Sequence, residues 1–123
     1  MKKAYGSSEE LKLPFSEAIE ANGFVFISGQ IHLDENGKLV EGTMKEKTKQ
    51  VMENLKRILQ LAKLDFSDVV KTEIYLPNID DRNDVSEVYS SYLTHPYPAR
   101  ITVGVKELPF SADIEIAMVA VRK

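Results

Sequence analysis

Apolar residues alternate with polar ones in some stretches of this chain and recur at every third or fourth position in others. The switch between the two periods outlines a fold. Residues 16–20 (SEAIE) and 23–31 (GFVFISGQI) read as two strands turning at Ala21-Asn22-Gly23. Asp34-Glu35-Asn36-Gly37 is a second turn, where Asn-Gly supplies the positive φ that tight hairpins demand. Thr43-Met44-Lys45-Glu46 then has the form of a capping box: the threonine hydroxyl accepts from the amide three residues on, and the glutamate reaches back to the cap's own amide. The helix it opens places Met44, Thr48, Val51, Leu55, Ile58, Leu59 and Ala62 on one stripe about 20 residues long.

Residues 69–77 (VVKTEIYLP) are rich in β-branched and aromatic side chains and predict a strand ending at Pro77. Asp80 and Asp81 are positioned to cap a second helix with the stripe Val85, Val88, Tyr89, Tyr92 and Leu93. His95-Pro96-Tyr97-Pro98 cannot continue it, because proline lacks an amide hydrogen and restricts its predecessor. Two further strands, 99–106 and 112–122, flank Leu108-Pro109-Phe110. The order ββ-α-β-α-ββ predicts an α+β two-layer sandwich, a mixed sheet with both helices on one face, as a single domain over 1–123. The long helix, joining strands expected to run parallel, implies a right-handed crossover.

One strand asks for more than this chain contains. Ile114, Ile116, Met118 and Ala120 point one way, and Glu115, Ala117, Val119 and Val121 the other. Both faces are apolar, yet two helices cover only one. A strand buried on both sides needs a second cover, and self-association is the reading that supplies it.

Composition narrows the function without naming it. The chain has 123 residues, 43% hydrophobic and 28% charged, the profile of a soluble globular domain. It has no cysteine, which excludes disulfides and thiolate metal sites and suits a reducing, cytoplasmic setting. Two N-terminal lysines with no apolar run behind them do not make a signal peptide, and no stretch approaches the roughly 18 apolar residues of a membrane helix. A net charge of −3 argues against nucleic acid as partner. Lys45, Lys47, Lys49, Lys56 and Arg57 are interleaved with Glu46 and Glu53 and read as a solvated helix face.

HExxH, P-loop, GxGxxG and GxSxG motifs are all absent, and the two histidines, His32 and His95, form no metal-ligand spacing. Candidate chemistry lies at strand ends. Ser28-Gly29-Gln30 closes a strand with a glycine that lets a ligand or backbone approach, or simply marks a bulge. Arg100 opens an otherwise apolar strand, either as a surface terminus or as a buried guanidinium with an anionic partner, whose planar fork would suit a carboxylate bidentately. Glu115 lies on the face an oligomer would cover, or stands as a solvated carboxylate near the strand entrance. Spacing alone does not bring Arg100 and Glu115 together.

Taken together, PFSEAI, FVFISGQI, QVMENLKRIL, DVVKTEIYL, NIDDRNDVSEVYSSYL, YPAR and ADIEIAMVAV resemble the Rid family, also called the YjgF family, in order from about residue 14 to the C-terminus. The resemblance implies a chorismate-mutase-like fold, a homotrimer with pockets between subunits, and hydrolysis of 2-iminopropanoate and 2-iminobutanoate to 2-keto acids and ammonia without a cofactor. Carried over by position, it implies that Arg100 holds the substrate carboxylate and Glu115 positions water. Phe15, Gly29, Ser86 and the main chain of Ile101 and Thr102 would border the ligand. Three positions depart from the family's pattern: Phe15 stands for a tyrosine, Ser86 for an asparagine and Ala117 for a second acidic residue. Phe15 and Ser86 favour a second reading, a relative that binds a small keto acid without turnover. A third, the ribonuclease activity for which some relatives are labelled, fits poorly with the negative charge.

Overall fold

A computed structural model describes residues 1–123. Six strands form one sheet: β1 (Lys3–Tyr5), β2 (Ala18–Ala21), β3 (Phe24–Ile31), β4 (Val69–Leu76), β5 (Ala99–Gly104) and β6 (Glu115–Val121), in spatial order β1-β2-β3-β6-β4-β5. Helices α1 (Met44–Leu61) and α2 (Arg82–Ser91) pack on one face. The α+β class and the two-layer, mixed-sheet architecture are therefore as the periodicity predicts. β3 and β4 run in the same direction because β6 is inserted between them, antiparallel to both; β4 and β5 are direct parallel neighbours.

Local chemistry explains the boundaries. Ala21 pairs with Phe24, so the first hairpin turns on two residues, Asn22 and Gly23, both at positive φ. In the second turn only Gly37 takes positive φ. Asn36 instead donates its amide to the Asp34 side chain, a local bond that asparagine's own φ was not needed for. The capping box of α1 is complete, with Glu46 N bonded to Thr43 Oγ1 at 3.1 Å and Thr43 N to Glu46 Oε1 at 3.0 Å.

Two sequence expectations are corrected and one element is new. The cap ahead of α2 is Asn78, whose side chain accepts from the Asp80 amide and opens a 3₁₀ turn; Asp81 makes no capping bond. The last two strands are shorter than their apolar patterns, ending at Gly104 and beginning at Glu115, because a 3₁₀ turn at Pro109–Ser111 consumes the residues between. An N-terminal strand, β1, escaped notice because three residues are too few to show a period.

The core lies between sheet and helices. Thr48, Val51, Met52, Leu55, Ile58 and Leu59 of α1 are buried against Ile74, Leu76, Ile116 and Met118, each large apolar side chain contributing about 1.5–3 kcal/mol. At the far corner Arg122 joins both chain ends. Its guanidinium grips Glu20 twice, at 2.9 and 2.8 Å, and reaches the Ala62 carbonyl at 2.9 Å, while Tyr5 donates to Glu20 at 2.7 Å. The two bonds from Arg122 bring the Glu20 carboxyl down to about 2.

The other sheet face is open in the single chain. Phe24 and Phe26 stack with ring centroids 6.2 Å apart and remain 42% and 49% exposed, beside the half-buried Val119 and Val121.

Candidate functional site

The sheet carries its reactive side chains in two separate groups. Strand β3 loses register with β6 between Ile27 and Gln30, so Ser28-Gly29 is a bulge. It is also a close approach: a Cβ on Gly29 would lie 2.3 Å from Glu115 Oε2. Both sequence readings of this glycine hold. Ser28 secures the bulge by donating from Oγ to the Ser16 carbonyl at 2.6 Å.

Glu115 closes over Gly29 at the start of β6. Burial alone acts on its carboxyl and pushes it above the ordinary carboxylate range, with no donor to offset it. A cavity of about 250 Å³ opens in front of it, lined also by Phe15, Leu11, Leu13 and Phe110. The buried hydroxyl of Ser8, at the cavity wall, has no partner either.

The second group lies on the helix side of edge strand β5. Arg100 is exposed; it donates to Ser86 Oγ at 2.8 Å and sits 5.2 Å from the centre of the Tyr89 ring. Tyr89 is itself fixed by donating to Thr72 Oγ1 at 2.9 Å. No carboxylate pairs with Arg100, although Lys45, Lys47, Arg57 and Arg122 all have acidic partners. A surface cleft of about 560 Å³, lined by Ser86, Tyr89, Tyr97 and Arg100, leaves the rest of its fork available. Ile101, next along β5, turns to the open face and is 46% exposed, while Thr102 returns to the helix side with its hydroxyl unpartnered.

The two groups do not meet within one chain. Arg100 pairs with Thr72 and Glu115 with Tyr75, three residues apart on β4. An odd separation puts the side chains on opposite faces, and strand spacing places their backbones roughly 14 Å apart. Phe15, Gly29 and Glu115 thus form one half-site, and Ser86 and Arg100 another.

His32, to which its sequence context gives no role, positions the loop ahead of Glu115. Its buried ring donates from Nδ1 to the Val40 carbonyl at 3.0 Å and accepts at Nε2 from the Asp113 amide at 3.0 Å. That pattern requires the neutral ring, and burial lowers its pKa below the ordinary 6.5. The unfolded chain binds this proton at a pH where the folded chain does not. Stability present above pH 6.5 should therefore decline as pH falls below it. Thermal melting between about pH 6.5 and 5.5 should show the decline, and His32→Gln should flatten it.

Residues 8–122 match the family described as Endoribonuclease L-PSP. A RutC family protein of Aquifex aeolicus is 47% identical over 112 residues, covering 89% of each chain. A human protein named 2-iminobutanoate/2-iminopropanoate deaminase is 41% identical over 110 residues, spanning 89% of this chain and 80% of that one. Among solved structures, a chain from Thermotoga maritima superposes with a TM-score of 0.93 at 40% identity, covering 100% of this chain and 99% of its own.

Proposed function

The chain belongs to the endoribonuclease L-PSP family, also called the Rid family, and from that premise we propose that it hydrolyses small 2-imino acids to 2-keto acids and ammonia. One observation carries the reading: a partly buried carboxylate with no hydrogen-bond donor and a guanidinium with no carboxylate are each placed at the rim of a cavity. The first suits a base and the second an anion anchor. Because they face opposite sides of one sheet, the working site takes Arg100 from one copy and Glu115 from another. The exposed Phe24, Phe26, Ile101 and Val103 give the copies an apolar surface to share, and a trimer is the proposed assembly.

The reaction proceeds in two steps. The carboxylate of the substrate lies along the Arg100 fork, which holds the protonated imine carbon towards Glu115. Water attacks that carbon and its proton passes to Glu115, leaving a tetrahedral amino alcohol. Glu115 then gives that proton to nitrogen and, as the C–N bond breaks, takes the hydroxyl proton, so that the keto acid and ammonia depart and the proton leaves with the ammonia as ammonium. A protonated imine is already electrophilic, so positioning does much of the work and general-base assistance adds about 10²–10⁴-fold.

Coupling the protein to a threonine dehydratase and following imine absorbance against buffer tests this reading; decay no faster than buffer would remove it. Light scattering tests the assembly, since a monomer at micromolar concentration leaves the two half-sites apart. The family's description also raises RNA cleavage, but Lys45 and Lys47 are paired with Glu87 and Asp113, and a net charge of −3 disfavours a phosphate backbone. Phe15 lines the Glu115 cavity with a ring that offers no hydroxyl. Phe15→Tyr should fold normally and raise the rate on small imines severalfold, within the limit set by one charged hydrogen bond of about 1.5–3 kcal/mol.

A further inference from the structure

The cavity before Glu115 has a lining that the hydrolysis of small imines leaves unexplained. Its walls are Leu11, Leu13, Phe15, Leu33, Pro109 and Phe110. In the single chain, before a second copy brings Arg100 to the site, Leu11, Phe15 and Phe110 are 65%, 57% and 76% exposed, so large apolar surface is concentrated around a single carboxylate. Such concentrations mark a place where something apolar binds.

Two of the polar side chains of the lining are already engaged. Glu17 takes Arg57 at 2.9 Å and the Ser7 amide at 3.2 Å, and Gln30 donates to the Ser28 carbonyl at 3.1 Å. Apart from the Ser7 and Ser8 hydroxyls, Glu115 is the side chain left for a ligand, and the reaction claims it. An acidic substituent would meet two carboxylates; a basic one would pair with the base and disable it.

Phe110 stands out by its backbone. Phe110 and Ser111 both hold left-handed conformations, φ 59° and 58°, which glycine adopts freely and side-chain-bearing residues rarely do. A bulky ring kept in that conformation, mostly exposed, on the rim of the cavity has no packing role in the core. The space also exceeds a methyl's need: at about 30 Å³ for a group the size of water, a methyl would leave most of the 250 Å³ unfilled.

We infer that this cavity selects imino acids with a large apolar side chain, isobutyl to benzyl, over those with methyl or ethyl, and that Phe110 is a residue setting the preference. The inference rests on the deaminase reading for its chemistry and on the cavity's lining for its selectivity. At about fourfold for each buried methylene, a side chain three carbons larger should gain on the order of 10- to 60-fold.

Two readouts separate the inference from the reading beneath it. Calorimetric titration with 2-oxopropanoate, 4-methyl-2-oxopentanoate and 3-phenyl-2-oxopropanoate measures binding alone. Buffer-corrected hydrolysis of the matching imines, generated by an amino-acid oxidase, measures turnover. Both are run on the native assembly and on Phe110→Gly, which suits the left-handed backbone and should melt no lower than the parent. The expected result is affinity and kcat/KM rising with side-chain size, and a large-to-small ratio about tenfold lower in Phe110→Gly. Hydrolysis with no such rise overturns the inference and leaves the deaminase reading standing. A binding ladder without hydrolysis supports the inference and removes the deaminase reading. Absence of both removes both. An altered assembly mass in Phe110→Gly with an unchanged ratio also overturns it, by making Phe110 a subunit contact.

Discussion

Glu115→Gln should lower the buffer-corrected rate of imine hydrolysis by about 10²–10⁴-fold, the loss expected of a general base. The amide has nearly the carboxylate's shape, so the keto-acid product should still bind. The pH profile of the parent should carry the same signature. Burial raises the Glu115 carboxyl above its ordinary 4.5, and the base works only when ionised, so the acid limb of kcat/KM should lie above that value. Stability runs the other way. A carboxyl with a raised folded pKa contributes stability fully present below the unfolded value and lost as pH rises through the folded one. At pH 7 the ionised Glu115 therefore weighs against folding, and Glu115→Gln should melt higher while turning over less. A variant that loses activity and stability together would mean that Glu115 braces the β3 bulge and performs no proton transfer.

Arg100→Ala should abolish detectable binding of 2-oxobutanoate as well as turnover, and Arg100→Lys should rescue little of either. An ammonium offers a point charge where the guanidinium offers two parallel donors, and lysine cannot both hold Ser86 and stand over the Tyr89 ring in the same way. Loss of a charged, bidentate contact costs on the order of 3 kcal/mol or more, over a hundredfold in affinity. Arg100 is exposed and packs in no core, so these variants should fold as the parent does, and calorimetry reads the anchor directly. Full affinity in Arg100→Ala would move the ligand away from this cleft.

The elements legible in the sequence are those whose signal is local. The Thr43 capping box and the α1 stripe were complete in the residues themselves, as was the alternation of β6. Asn78 was missed because Asp80 and Asp81 offer the same chemistry two and three residues later, and only the 3₁₀ turn decides among them. The insertion of β6 between β3 and β4 has no local signature. That insertion sets the candidate site's geometry, because it fixes the register that turns Arg100 and Glu115 to opposite faces. Sequence could suggest both residues from their types; it could not show that they are divided between half-sites. His32 was illegible for the same reason, its partners Val40 and Asp113 lying far apart in the chain.

The knot at Arg122 makes the chain's two ends thermodynamically one. β1 is only three residues long and pairs with β2 alone, so on its own it would fray readily. Yet the hydroxyl of Tyr5 is bound to the same Glu20 that Arg122 grips, and Arg122 also holds the α1 terminus at Ala62. Opening the N-terminus therefore loosens the C-terminus, and clipping the last two residues should accelerate amide exchange in β1 at the opposite end of the sequence.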